Sequence, residues 1–371
     1  MGRTVVSPSD QRVTFVELFF DLVFVFAVTQ LVKIVHHHPG FRGGGQAVLV
    51  FWMVWWGWTQ FTWALNAADT THARVQLGTL LATAIAFFMA VAIPGAFEDR
   101  GFWFALPYVA VRLLGLYVYG KVAYVADKRQ HAAVRVFTFA SIFGLVAVLV
   151  GGWQGGSWQI GLWTAAIALD MGAAAVGARQ EGWNLNPEHF AERHGLFVII
   201  ALGESLIVAA SVVAGADWNP TRILVAILSV AVTCALWWAY FTKAKPQLDH
   251  AFERTRGTTQ SRLARDVFSL IHFPLVLGIV AYAAAVEEAL AHPGDPLAAV
   301  WRWSLAVGLA LFLGSTALAL LRATGKRPNP RVALMTLTVV ALVLAPGPAA
   351  VTLAIALLGI VAVSVVEHRM Q

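Results

Sequence analysis

Charge is scarce in this chain. Of its 371 residues only 12% are Asp, Glu, Lys or Arg, whereas 59% are hydrophobic. A soluble domain carries about twice that share of charge, and one water-facing surface could not hide so much apolar side chain. Lipid is the natural solvent for such a sequence. Cysteine is scarcer still: Cys234 stands alone, which excludes an intramolecular disulfide and leaves it a packing role. No Walker loop, dinucleotide fingerprint, Gly-x-Ser-x-Gly elbow or HExxH pair occurs. Nothing points to an ATP-driven pump or a soluble enzyme, and no cofactor is called for.

What the chain does have is long apolar runs. A spanning helix needs about 20 mostly apolar residues, because the hydrocarbon core is about 30 Å thick and each residue rises about 1.5 Å. Runs of that kind cover 14–35, 46–66, 75–94, 102–126, 134–151, 157–178, 190–214, 221–242, 266–289, 297–321, 332–346 and 349–366. The expected fold is therefore all-α, a polytopic transmembrane helix bundle of about twelve helices. The last two runs are short and are split by Pro346-Gly347-Pro348, which fits a tight helical hairpin better than one re-entrant element. The long connection Lys243 to Arg265 contains Pro246, Gly257 and mixed charge. It reads as a loop holding at most a short surface helix.

Basic residues test that count, since cytoplasmic loops are enriched in them. With the N-terminus inside, 20 of the 26 Lys and Arg residues fall on the cytoplasmic side, among them Arg3, Arg12, Arg179, Arg193, Lys243, Arg265 and Arg331. Only Lys33, Arg42, Arg100, Arg222 and Arg302 fall outside, and Arg112 is left within a span. Both termini are then expected in the cytoplasm. The net charge of +6 reports orientation and contact with anionic lipid, so no nucleic-acid partner is needed. The first span carries acids and lacks a cleavage signal, so it is expected to remain in the mature protein.

The two halves repeat their marks in order. Phe15-Val16-Glu17 matches Phe190-Ala191-Glu192 at an offset of 175. The cluster Trp55-Trp56-Gly57-Trp58 is echoed by Trp237-Trp238-Ala239-Tyr240, and the acidic pair Glu98-Asp99 by Glu287-Glu288. Six helices per copy keeps both copies in one orientation, so residues 1–180 and 181–371 are expected to form a parallel 6+6 repeat. Any two six-helix halves also share hydropathy, which leaves a plain bundle as the alternative.

An acid or an Arg at the bilayer centre costs about 2.5 to 3.5 kcal/mol on insertion scales, so function is sought among the polar residues within spans. Glu17 and Asp21 lie four apart, on one face of the first helix, about 6 Å along its axis. Glu17 is near the cytoplasmic edge, where water can reach it, and Thr29 continues the polar stripe. The seventh helix carries Glu192 at its inner edge and Glu204-Ser205 deeper in. Arg112 needs an anion, which Asp21, Asp170 or Glu204 could supply, either as a static clamp or within a binding site. Mid-membrane carboxylates can be poised to exchange a proton, or can simply hydrogen-bond. His272 beside Pro274 is a proton carrier or a packing residue. His36-His37-His38 on the first outer connection is weak ground for a metal site, and none is assigned. Five Trp residues crowd the second helix, where they pack between helices or line a cavity, and a cation held on aromatic faces is a secondary option.

The first helix, Val13-Thr-Phe-Val-Glu17-Leu-Phe-Phe-Asp21-Leu-Val-Phe-Val-Phe-Ala-Val-Thr29-Gln30-Leu31, closely resembles the signature of the bacterial low temperature requirement A (LtrA) family. Glu192-Arg193-His194-Gly-Leu-Phe and Ile200-Ala-Leu-Gly203-Glu204-Ser205 match it further, so the resemblance spans essentially the whole chain. It implies a multi-pass protein of the bacterial plasma membrane. The family is named for a growth phenotype, so the resemblance implies little about activity. The first helix is also similar to that of a cation-channel family built of tandem six-helix repeats, with Arg12, Phe19-Phe20-Asp21 and Thr29 in the matching order. Phe20 stands where that family has Ser, and the second half lacks the Asp. The leading expectation is a secondary transporter or ion-conducting protein for protons, monovalent cations or a small solute. The alternative is a non-transporting membrane protein, a lipid-directed enzyme or a scaffold, whose buried charges only lock helices.

Overall fold

The computed structural model describes residues 5–8, 11–177, 183 and 185–369. Twelve helices follow one another: α1 Phe15–His37, α2 Phe41–Ala67, α3 Ala73–Ala92, α4 Gly101–Ala126, α5 Lys128–Gln154, α6 Gly156–Gly177 and α7 Pro187–Ala214. They continue as α8 Pro220–Glu253, α9 Gly257–Ala291, α10 Ala299–Thr324, α11 Asn329–Leu344 and α12 Ala349–Arg369. No strand occurs among the described residues; two isolated bridges, Val6 with Ala68 and Pro296 with Pro348, tie loop ends. Arg3, Arg179 and the expected repeat boundary at 180/181 lie outside the described residues.

Ten of these helices are long and apolar enough to cross a membrane. The other two depart for physical reasons. Helix α2 is long enough at 27 residues, but its Trp, Gln and Asn side chains lower its hydropathy. It is buried without a break from Val50 to Thr62. A helix enclosed by protein on every side need not look apolar to lipid. Helix α11 has only 16 residues, roughly 24 Å, and packs against α12 as a hairpin, the arrangement expected for the last two runs.

Helix ends are set by local chemistry. The Asp127 side chain accepts from the N–H groups of Arg129 and Gln130 at the start of α5, and Asn219 accepts from Arg222 N–H before Pro220 opens α8. Such caps satisfy amide donors that have no partner inside the helix. The turn from α5 to α6 needs Gly155 and Gly156, both at positive φ (69° and 56°), a region that other residues enter with strain.

One expectation fails. The stretch from Lys243 to Arg265 is helical almost throughout and is not a loop. Helix α8 passes through a π turn at Tyr240–Ala244 and runs on to Glu253, and α9 begins at Gly257 with a π segment at Ala264–Ile271. Hydropathy falls here because Lys245, Asp249, Arg254 and Arg262 interrupt the apolar residues, while Leu248, Phe252, Leu263, Val267 and Phe268 stay buried. Helical periodicity persists after the apolar run has ended.

The chain divides into two compact units. The first holds residues 1–34, 44–194 and 252–269. Within it α3, α4, α5 and α6 pack in sequence, and their outward faces, with Leu77, Phe88, Tyr117, Phe139 and Phe143, are more than half exposed, as lipid-facing surface is. The second holds residues 35–43, 195–251 and 270–371, with α8 against α12 and α9 against α10.

Helices α9 and α10 approach backbone to backbone. A Cβ on Gly278 would lie 2.6 Å from the Gly308 carbonyl oxygen, and one on Gly308 would lie 2.8 Å from that of Gly278. Small residues permit this close crossing in lipid, where packing rather than water exclusion drives association. Gly278→Val is expected to cost about 1–3 kcal/mol and to lower the thermal midpoint in detergent. Gly314→Ala, where the added carbon meets only Met335 Sδ at 3.5 Å, should leave the midpoint close to the parent's.

Candidate functional site

Two i,i+4 pairs meet inside the first unit. Glu17 and Asp21 share a face of α1, and His189 and Arg193 share a face of α7, so the pairs can mesh one turn against the next. Asp21 Oδ1 accepts from Arg193 Nη2 at 2.5 Å and from Trp58 Nε1 at 2.7 Å. Glu17 Oε1 lies 3.0 Å from His189 Nε2 and 3.6 Å from Arg193 Nη1. The Arg193 guanidinium also sits 5.6 Å from the centre of the Trp58 ring. All four charged or ionisable side chains have no exposed surface.

Each member is held from behind. Glu17 Oε2 accepts from Thr14 N–H and Thr14 Oγ1, both at 2.9 Å, so the Glu17 side chain caps the start of α1 by reaching back to an amide with no partner inside the helix. His189 Nδ1 is 3.1 Å from Asn66 Nδ2, and Asn66 exchanges two 2.9 Å hydrogen bonds with the backbone of Asn186. Trp58 is braced by the His194 ring, edge-on at 4.9 Å. Glu17 is thus fully buried, although its place at the helix edge suggested water.

A second buried cluster lies in the same unit. Arg112 of α4 forms a forked pair with Asp170 of α6, Nη2 to Oδ1 at 3.0 Å and Nη1 to Oδ2 at 3.2 Å. The same Nη1 donates to Tyr108 OH at 2.6 Å, and Nε donates to Gln60 Oε1. The Gln60 amide in turn donates to the Arg112 carbonyl at 2.8 Å. Of the three acids that could have met Arg112, Asp170 is the one that does.

The two clusters differ in charge. Arg112 and Asp170 cancel. The other holds two carboxylates against one guanidinium, so it carries one negative charge unless a further positive charge is present. His189, protonated, would supply it, as would a proton on either carboxylate. Asp21 Oδ2, buried and without a hydrogen-bond partner, is an atom able to carry one.

The remaining candidates lie elsewhere. Glu192 is half-buried, with its Oε2 3.5 Å from Val13 N–H. Thr29 donates back to the Val25 carbonyl at 3.4 Å. In the second unit Glu204 is half-buried, and Ser205 Oγ donates to the Leu202 carbonyl at 2.7 Å. His272, fully buried, is 2.7 Å from Tyr240 OH. His36, first of the three adjacent histidines, lies 3.4 Å from Glu287 Oε2 and stacks on Trp301.

Sequence reasoning missed His189 and Arg193 as site residues. Arg193 was counted among the cytoplasmic charges because it stands near the start of an apolar run. The signal present was the i,i+4 spacing of His189 and Arg193, the same spacing as Glu17 and Asp21. It also missed Arg331, buried with its Nε and Nη2 on the Glu367 carboxylate at 2.6 and 2.7 Å. That clamp ties α11 to the end of α12.

Ten helices among the described residues long and apolar enough to cross a membrane, with charged side chains buried between helices, define a multi-pass membrane protein. The profile of the bacterial low temperature requirement A protein (LtrA) family matches residues 12–366, and the chain belongs to that family. It is similar to an uncharacterized protein of Rhizobium meliloti (strain 1021), 29% identical over 301 residues that cover 76% of this chain and 70% of that one. No solved structure matches.

The Arg112 pair makes a stability prediction. Removing one partner strands a buried charge and typically costs about 3–5 kcal/mol, whereas replacing both by apolar residues is close to neutral. Arg112→Met should therefore lower the thermal midpoint sharply, and Arg112→Met with Asp170→Leu should recover most of the loss. A double variant as unstable as the sum of the single variants would show that the two side chains act separately.

Proposed function

We propose that the protein is a secondary transporter or ion-conducting protein for protons or monovalent cations, with Glu17, Asp21, His189 and Arg193 as its ion-binding cluster. The observation that supports this most is the meeting of two carboxylates with one guanidinium and one imidazole, fully buried in a membrane protein. A site of that parity gains from binding one proton or one small cation and can release it when the surroundings change. Arg112 and Asp170 already cancel, so in this reading they are a clamp between α4 and α6. Glu204 and Ser205 are the corresponding candidates in the second half of the proposed parallel 6+6 repeat, and His272 and Glu192 are secondary. The protein would lie in the bacterial plasma membrane with both termini cytoplasmic, as the distribution of basic residues favours.

A second reading has its own support. No member of the cluster lines the small cavity of the same unit that is bordered by Trp56, Thr59, Trp63, Tyr119 and Arg265. Sealed, mutually paired charges also suit a non-transporting protein, a lipid-directed enzyme or a scaffold, in which they only fix helix register.

Flux separates the two. The parent, reconstituted in liposomes, should carry protons, potassium or sodium, and Glu17→Gln and Asp21→Asn should each cut that flux at least tenfold while remaining folded by thermal unfolding. A folded parent without flux of any of these ions would sink the transport reading.

A further inference from the structure

The outer face of the first unit carries a groove that neither buried cluster uses. Its volume is about 1070 Å³, and it runs between α4 and α5. On α4 it is bordered by Leu116, Tyr117, Gly120, Lys121 and Tyr124, and on α5 by His131, Arg135, Phe139 and Ile142. The spacing is that of one helical face on each side: 117, 120, 121 and 124 against 131, 135, 139 and 142. Gly120 supplies the notch, since a Cβ there would meet nothing within 4 Å.

The lining is graded along the groove. At the end near the α4–α5 turn stand Lys121, His131 and Arg135, with no acid among the lining residues. Asp127, the nearest acid in sequence, is occupied in capping α5 through Arg129 and Gln130. The basic groups are backed by aromatic rings: Lys121 Nζ lies 5.5 Å over Tyr117, and the His131 ring stands edge-on to Tyr124 at 5.3 Å. Beyond Arg135 the lining is mainly apolar, with Val136, Phe139 and Ile142 exposed, and the hydroxyl of Thr138 is turned back onto the Val134 carbonyl at 2.8 Å.

Depth agrees with this grading. Helices α4 and α5 have 26 and 27 residues, about 40 Å each, and so reach past a hydrocarbon core of about 30 Å. Lys121 lies roughly 8 Å from the end of α4, and Arg135 roughly 10 Å from the start of α5. Flexible Lys and Arg stems at that depth carry their charges back to the level of the lipid phosphates, and Tyr rings favour the same layer. The stretch from His131 to Ile142 extends about 16 Å deeper, room for much of an acyl chain.

We propose that this groove binds one anionic phospholipid, its phosphate held between Lys121 and Arg135 and an acyl chain laid along Phe139 and Ile142. Two cations and an imidazole with no opposing acid match a phosphate that carries net negative charge. A zwitterionic lipid would bring its own cation into the same basic end. The apolar floor distinguishes a lipid from free phosphate, which has no use for it.

The test is native mass spectrometry of the full chain in detergent, with phosphatidylglycerol or phosphatidylcholine added. The parent should retain one phosphatidylglycerol at least tenfold more strongly than phosphatidylcholine. Lys121→Ala with Arg135→Ala should abolish that preference, whereas Lys326→Ala with Arg327→Ala, an exposed basic pair elsewhere, should keep it. Gly120→Trp, which fills the notch, should reduce retention of either lipid and leave the thermal midpoint unchanged. Equal retention of the two lipids by the parent, an unchanged preference in the Lys121/Arg135 variant, or displacement of the lipid by millimolar inorganic phosphate would each overturn the proposal.

Discussion

The Arg193 guanidinium faces two carboxylates at once, with Asp21 at 2.5 Å and Glu17 at 3.6 Å, and the arrangement around it follows from that unequal match. In water the arrangement would be unremarked, because solvent screens each charge. Inside a helix bundle every ion must be answered locally. The first unit answers these with a Trp indole on Asp21, a threonine and a histidine on Glu17, and an Asn pair behind the histidine. Helix α2, which supplies Trp58 and Asn66, is correspondingly the most enclosed helix of the unit and is rich in residues that hydropathy scales penalise.

Two buried clusters within one unit invite comparison. The Arg112 fork is charge-neutral, and Tyr108 and Gln60 take two of the three donor positions that Asp170 leaves. Such a pair resists change, since moving either partner strands the other. The Glu17–Asp21–His189–Arg193 group sets two carboxylates against one guanidinium and one imidazole, and in the proposed reading it holds or releases one proton. The two clusters differ in that parity and not in burial, which both share.

Much of the fold was legible because lipid imposes a simple rule: backbone polar groups must be satisfied within each span, so apolar length reports helices. That rule served for the runs at 14–35, 102–126 and 349–366. It misled at Lys243–Arg265, where charged residues alternate with buried ones such as Leu248 and Phe252, so mean hydropathy drops although the backbone is helical almost throughout. Intramembrane acids such as Asp21 and Asp170 were conspicuous for their cost in a span. Their partners were harder to read. Arg193 and His189 sit where an apolar run begins, a position usually taken by interfacial charges, and only the meeting of α1 and α7 shows them to be buried. Pairing is a property of tertiary contact, and a single sequence records which residues need a partner more clearly than which residue provides it.

The most direct test of the surplus charge is a proton count. Purified protein in nanodiscs, titrated across the pH range in which it stays folded, should exchange one proton more than Asp21→Asn, and one more than Glu17→Gln, because either substitution balances the cluster. Identical counts for the parent and both variants would contradict the account, since the cluster would then neither take up nor release the proton that its charge parity requires.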